Sequence, residues 1–140
     1  MLIFGESERL LPWAAERIGL QRFQPGARAI GIEGKGGLRG VVVYDNIGPA
    51  DCSMHVASDG SGRWLTREFL CHAFSYPFIQ LRLRRVTAMV PAKNLHALRF
   101  DEKLGFVREG YHPHGMPDDD LISLGMLRKN CRFIPQEYRQ

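Results

Sequence analysis

The chain lacks any apolar run approaching the roughly 20 residues that cross a bilayer. Its first residues, MLIFGESERLL, put no basic residue ahead of the apolar ones. No secretory leader is expected, and the cytoplasm is the predicted compartment. Cysteine is scarce: Cys52, Cys71 and Cys131 lie far apart, with no CxxC or Cys/His ligand spacing. Structural zinc is therefore not expected. Cys52 and Cys71 fall on predicted apolar faces, where a thiol serves as a core residue. His112-Pro113-His114 with Asp118, Asp119 and Asp120 reads as a solvated loop rather than a metal site, and no metal is predicted. There is no internal repeat and no low-complexity linker, and 140 residues set a single domain, 1–140. The Lys and Arg excess gives a net charge of +4. The basic cluster Arg82, Arg84, Arg85 is short and has no interleaved aromatics, so nucleic acid is not the expected partner. A mildly basic surface accounts for the charge, and a basic cleft for an anionic ligand accounts for part of it. Gly34-Lys35-Gly36-Gly37 lacks the G-x-x-x-x-G-K-[ST] spacing and a following helix, so it predicts a hairpin rather than a phosphate loop.

What is present is an ordinary globular composition, 44% hydrophobic and 24% charged, enough to build a real core at this length. The most informative stretch is Arg84 to Gly110. Val86, Ala88 and Val90 alternate with Thr87 and Met89, the period of a half-buried strand, and Pro91 closes the run. Asn94 stands at a helix N-cap, with Leu95, Ala97 and Leu98 opening an apolar face. Lys103 suits the last turn, Gly105 the C-terminal cap, and Phe106 opens another strand.

Upstream, residues 2–4 predict a short strand. Leu10, Leu11, Ala14, Ala15 and Ile18 predict a helix ended by Gly19, in which Pro12 must lie in the first turn or kink the chain. Ala27–Glu33 and Leu38–Tyr44 read as the two arms of the hairpin. Val41-Val42-Val43 predicts burial on both faces. Ala50, Cys52, Met54 and Val56 alternate with Asp51, Ser53 and His55 in a fourth strand with one apolar and one polar face. After Ser58-Asp59-Gly60-Ser61-Gly62, a helix carries Leu65, Phe69, Leu70, Ala73 and Phe74 on one face until Pro77. Asp120–Leu127 is the last strand and Cys131–Gln140 a tail. The order β, α, β, β, β, α, β, α, β, β describes an α/β chain with a central mixed sheet flanked by helices, three layers at most.

Asn94-x-x-Ala97 followed by Lys103-Leu104-Gly105-Phe106 and Glu109-Gly110 resembles the GNAT superfamily of N-acetyltransferases. The resemblance covers residues 50 to 128 well and the first 45 by element order, with one helix rather than two after the first strand. Thr66-x-Glu68, Ala73-Phe74, Arg85-Val86 and Gly125-Met126-Leu127-Arg128 look most like the branch of ribosomal-protein N-terminal acetyltransferases. The resemblance implies the acyl-CoA N-acyltransferase fold, with acetyl-CoA as co-substrate and a primary amine as acceptor.

The resemblance also distributes roles. Ser58, Gly60, Ser61, Gly62, Arg63 and Trp64, with Ala57, would hold the coenzyme A pyrophosphate, using backbone N–H groups and a helix N-terminus. Two residues depart from the family pattern: Ala57 stands where it has Gln or Arg, and Asp59 brings a negative charge to the phosphates. A backbone N–H near Val56 would stabilise the oxyanion. Asn94 would contact the pantetheine arm, besides capping its helix. His55 is the candidate base, sharing its face with Asp51 and Ser53; the plainer role of each is an exposed strand residue. Asp101 replaces a tyrosine that many members offer as acid. An ionised carboxylate cannot donate a proton, so Tyr111, His112 or solvent is expected to do so. Exposed strand edges make a homodimer an expectation. Two other classes remain: an inactive acyl-CoA-binding or interaction module of the same fold, favoured by Ala57 and Asp101, and a nucleic-acid-associated basic protein, marked by steep salt dependence.

Overall fold

The computed structural model describes residues 1–62 and 64–140. Ten elements follow the expected order: β1 (Leu2–Ile3), α1 (Ser7–Ile18), β2 (Arg28–Gly34), β3 (Gly37–Asp45), β4 (Ser53–Ser58), α2 (Arg67–Ser75), β5 (Arg85–Pro91), α3 (Leu95–Leu104), β6 (Val107–Met116) and β7 (Asp119–Leu127). The strands form one sheet in the order β1-β2-β3-β4-β5-β7-β6. All neighbours are antiparallel except β4 and β5. That parallel step requires a crossover, which α2 supplies.

Two apolar clusters lie on opposite faces of the sheet. One gathers Val42, Tyr44, Met54, Phe69, Phe74, Val86, Leu98 and Leu124 beneath α2 and α3. The other packs Leu10, Ala14, Ala15 and Phe23 against Ala29, Val41, Val43 and Ala57. The three consecutive valines of β3 are therefore buried on both sides, as their run predicts. Gly40 lies in the same strand because Trp64 leaves no room for a side chain. A Cβ there would stand 2.5 Å from the indole ring.

Pro12 is the sixth residue of α1, beyond the first turn, and the helix continues to Ile18 without the bond its nitrogen cannot give. Three local expectations need correction. Pro77 does not stop the second helix. The chain goes on through a π turn, Tyr76–Gln80, closed by the Leu81 amide on the Tyr76 carbonyl at 3.0 Å. The widened turn makes room for the proline ring. The segment after Cys131 is no free tail: Cys131, Phe133 and Ile134 are buried, and Phe133 stacks on Phe74 with centroids 5.2 Å apart. Finally, the polar face of β4 is only partly open to water: α1 packs on it, Ala57 is buried there, and Ser53 and His55 are half-buried.

Candidate functional site

The site begins where β4 and β5 part. The two strands share one register pair, Ser53 with Thr87, supported by the Thr87 amide on the Cys52 carbonyl at 2.9 Å. Past that point β4 pairs only with β3, and Ala88 to Pro91 pair only with β7. A gap opens inside the sheet, rimmed by His55–Ser58 and Met89–Pro91. Its polarity follows from register. Asp59 donates to the Arg39 carbonyl at 2.8 Å, in line with the pairs Val41–Ala57 and Val43–His55. Alternation then turns the amides of His55 and Ala57 toward β3, and those of Val56 and Ser58 into the gap. A strand amide without a ladder partner is a ready donor for a carbonyl or a developing oxyanion.

His55 lies one residue from that amide, on the α1 face. Its Nε2 sits 2.8 Å from Asp45 Oδ1, and Phe23 packs beside the ring at 5.3 Å. Asp45 is 4% exposed, and among the described residues it is the one charged residue in the core. When the His55 tautomer carries its proton on Nε2, the ring donates to Asp45 and leaves Nδ1 as an acceptor. The sequence offered no sign of this partner, because a carboxylate at a strand end reads as a turn residue. The two other polar residues of that face differ. Asp51 is engaged by the Thr87 hydroxyl at 2.9 Å and stands 3.8 Å from Arg85, and Ser53 lies beside Asn46.

The loop after β4 holds itself together. The Ser58 hydroxyl oxygen accepts from the Gly60 amide and from Trp64 Nε1, both at 2.9 Å. The Asp59 carboxylate accepts from the Ser61 amide at 2.9 Å and from its hydroxyl at 2.6 Å. Those bonds hold the Asp59 carboxyl below the usual carboxylate range. Gly60 and Gly62 have φ of +92° and +72°, values that a side chain would strain. Helix α2 starts only at Arg67, with Thr66 capping it through Phe69 at 3.1 Å. Gly60-Ser61-Gly62 is thus several residues away from the helix end that was expected to reinforce it. Trp64 is 4% exposed and locked against Gly40 and Phe69, so its indole belongs to the core and anchors the loop. Arg63 lies outside the described residues.

Asn94 follows β5 at the start of α3, and its Oδ1 accepts the Ala97 amide at 3.1 Å, the cap expected from sequence. Tyr111 is set apart from the gap. It lies on β6, with β7 between it and β5, so about two strand spacings, roughly 10 Å, separate it from the rim. Its hydroxyl donates to Asp120, which raises the phenol's pKa and lowers that of the carboxyl. His112 on the same strand bonds Ser123 at 3.0 Å.

Asp101 corrects the expectation of an ionised carboxylate. It lies three residues from both Leu98 and Leu104, the buried positions of α3. Desolvation pushes its pKa up to about 7, so near neutrality much of it carries a proton it can give. Burial has the same effect on Cys52, whose thiol is pushed to about 12 and is therefore inert, as a core cysteine should be.

The acidic turn is structural. Asp119 accepts the Lys93 amide, tying the β6–β7 hairpin to the loop before α3, and Asp120 accepts the His114 amide within the hairpin, each at 2.8 Å. Among the described residues no group of three His, Cys, Asp or Glu side chains is arranged to hold a metal.

No protein-family model matches the sequence, and no curated protein matches it. Solved structures do match in fold. Spermidine N-acetyltransferase from Vibrio cholerae in complex with CoA and spermine aligns with a TM-score of 0.66 at 21% identity, over 76% of this chain and 68% of that one. A dodecameric structure of spermidine N-acetyltransferase from Vibrio cholerae gives 0.64 at 20% identity, over 83% and 71%. A mutant of SpeG, the spermidine N-acetyltransferase of Vibrio cholerae, gives 0.65 at 21% identity, over 74% and 66%. The chain spans about two thirds of the length of the structures it matches. The mixed seven-stranded sheet, flanked by helices and opened between β4 and β5, has the GNAT acyl-CoA N-acyltransferase fold.

Proposed function

We propose that this chain is an N-acetyltransferase that moves the acetyl group of acetyl-CoA to a primary amine by direct attack. The observation that carries the reading is the parting of β4 and β5, with the Val56 amide turned into the opening. The fold likeness to spermidine N-acetyltransferases, one of them in complex with CoA and spermine, supports both co-substrates. In this reading the amine nitrogen bonds to the thioester carbonyl carbon and the C–S bond breaks. Val56 N–H would hold the carbonyl oxygen as it gains charge. His55, oriented by Asp45, would take the amine's proton on Nδ1, directly or through water. The departing thiolate would be protonated by Asp101 or by solvent. Asn94 would border the pantetheine arm through the side-chain nitrogen left free by its capping oxygen.

The finer substrate assignment is a choice between two amine classes. The fold neighbours point to polyamines. The resemblance of Thr66-x-Glu68 and Gly125-Met126-Leu127-Arg128 to ribosomal-protein N-terminal acetyltransferases, which no comparison bears out, would favour peptide N-termini. A panel containing spermidine, spermine, free lysine and short peptides, assayed for thiol release from acetyl-CoA, decides between them. Turnover on one class is the expected result, and no thiol release from any amine overturns the assignment as an enzyme. A second reading is a non-catalytic acyl-CoA-binding module, and the self-bonded Ser58–Ser61 loop favours it. Saturable acetyl-CoA binding without thiol release would establish that reading.

A further inference from the structure

Several donors and one guanidinium converge on one carboxylate. Ser61 gives both its backbone N–H and its hydroxyl to Asp59 Oδ1, and the Arg39 guanidinium stands 3.9 Å from Oδ2. The Asp59 side chain is 22% exposed although the residue lies at the surface, so it is folded back into this setting rather than extended into water. A loop amide, a hydroxyl and a guanidinium group are what a phosphate oxygen requires. Here the chain supplies the oxyanion itself.

We propose that Asp59 is the internal occupant of an anion site built by Ser61 and Arg39, and that the pyrophosphate of coenzyme A gains these donors only by displacing it. The identity of the ligand rests on the acetyltransferase reading; the anion site does not. Several consequences follow from charge. A pyrophosphate approaching the occupied loop meets a like charge and finds the Ser61 donors taken. The donor substrate is then held mainly through its pantetheine arm at the β4–β5 gap. Asp59 thus sets how strongly the phosphate-bearing end contributes, and it discriminates between thioester carriers with and without that end.

The test is calorimetric titration of the parent chain, Asp59→Ala and Asp59→Asn with coenzyme A and with pantetheine, which has no phosphate. In parallel, the Gly60 and Ser61 amide resonances are followed during titration with inorganic pyrophosphate. Asp59→Ala should tighten coenzyme A about tenfold, the scale of one freed charge-assisted contact, and leave pantetheine within about twofold. Asp59→Asn keeps an acceptor for Ser61 without the charge, so it should gain about threefold, and it stands in should the alanine variant misfold. Pyrophosphate should saturate the Ser61 amide shift in the alanine variant at about a tenth of the concentration the parent needs. The inference is overturned if folded variants bind coenzyme A and pyrophosphate no tighter than the parent, or if pantetheine gains equally. If pyrophosphate behaves as expected while coenzyme A and pantetheine bind no variant, the anion site stands and the acetyltransferase reading falls.

Discussion

Asp101 shows how a single position changes meaning between sequence and fold. By the family resemblance it is an acid in the place of a tyrosine, and an ionised acid is useless as a proton donor. In the structure it lies on the core-facing side of α3, and the loss of water raises its pKa to about 7. The same fact bears on stability. The unfolded chain releases this proton near the ordinary carboxylate value, about 3.9, while the folded chain keeps it to about 7. Between those values the native state binds more protons, so stability falls as pH rises through the interval. Below it the penalty is absent, and above it the penalty is complete, at most about 4 kcal/mol. Asp101→Asn should therefore raise the denaturation midpoint at pH 8 and leave it almost unchanged at pH 4. Equal midpoint shifts at both pH values would show that ionisation is not the cause. His55 presents the opposite case: its residue type suggested a base, but the carboxylate that orients it, Asp45, became visible only when β3 and β4 paired.

At the scale of elements, the helices and strands were legible where one face carries the apolar residues. The alternation in β5 and the Asn94 cap of α3 appear as read, because both are set by residues within a few positions of each other. Pro77 does not end its helix because a proline's cost depends on the local turn, which can widen, and Pro12 sits inside α1 at the loss of one bond. Strand β3 shows how one element positions another. Gly40 accepts the Trp64 indole against its backbone, and Trp64 in turn donates to Ser58 and fixes the loop beyond β4. Gly40→Ala forces a Cβ into the ring, and overpacking of this kind costs about 1 to 3 kcal/mol. Denaturant unfolding should register that loss. An unchanged midpoint would mean that the loop moves away at little cost and is not anchored by the tryptophan.

At the scale of the whole molecule, the sheet combines seven closely paired strands with one deliberate failure of pairing. Both outer edges resist further addition. β1 has two residues, while β6 is broken by register shifts after Arg108 and His112 and contains Pro113. A homodimer formed by extending the sheet is therefore disfavoured, and association would have to use a face. The interior opening is the other unpaired backbone. In hydrogen exchange the amides of His55 and Ala57, bonded to β3, should be protected, while Val56 between them should exchange at least about tenfold faster. Coenzyme A should slow Val56 selectively. Uniform protection along β4 would mean that the gap is closed in solution.

The sequence by itself determined the order of elements, the faces they bury and the caps that end them, because each depends on spacing along the chain. It also carried enough of Asn94 to Gly110 to suggest the fold. Tertiary structure alone decided what lies across the sheet: the gap after Ser53, the His55–Asp45 pair, the burial of Trp64, the partial burial of Asp101, and the folding of Asp59 into its own loop. These depend on register between strands far apart in sequence, and on how much water that register leaves around a charge.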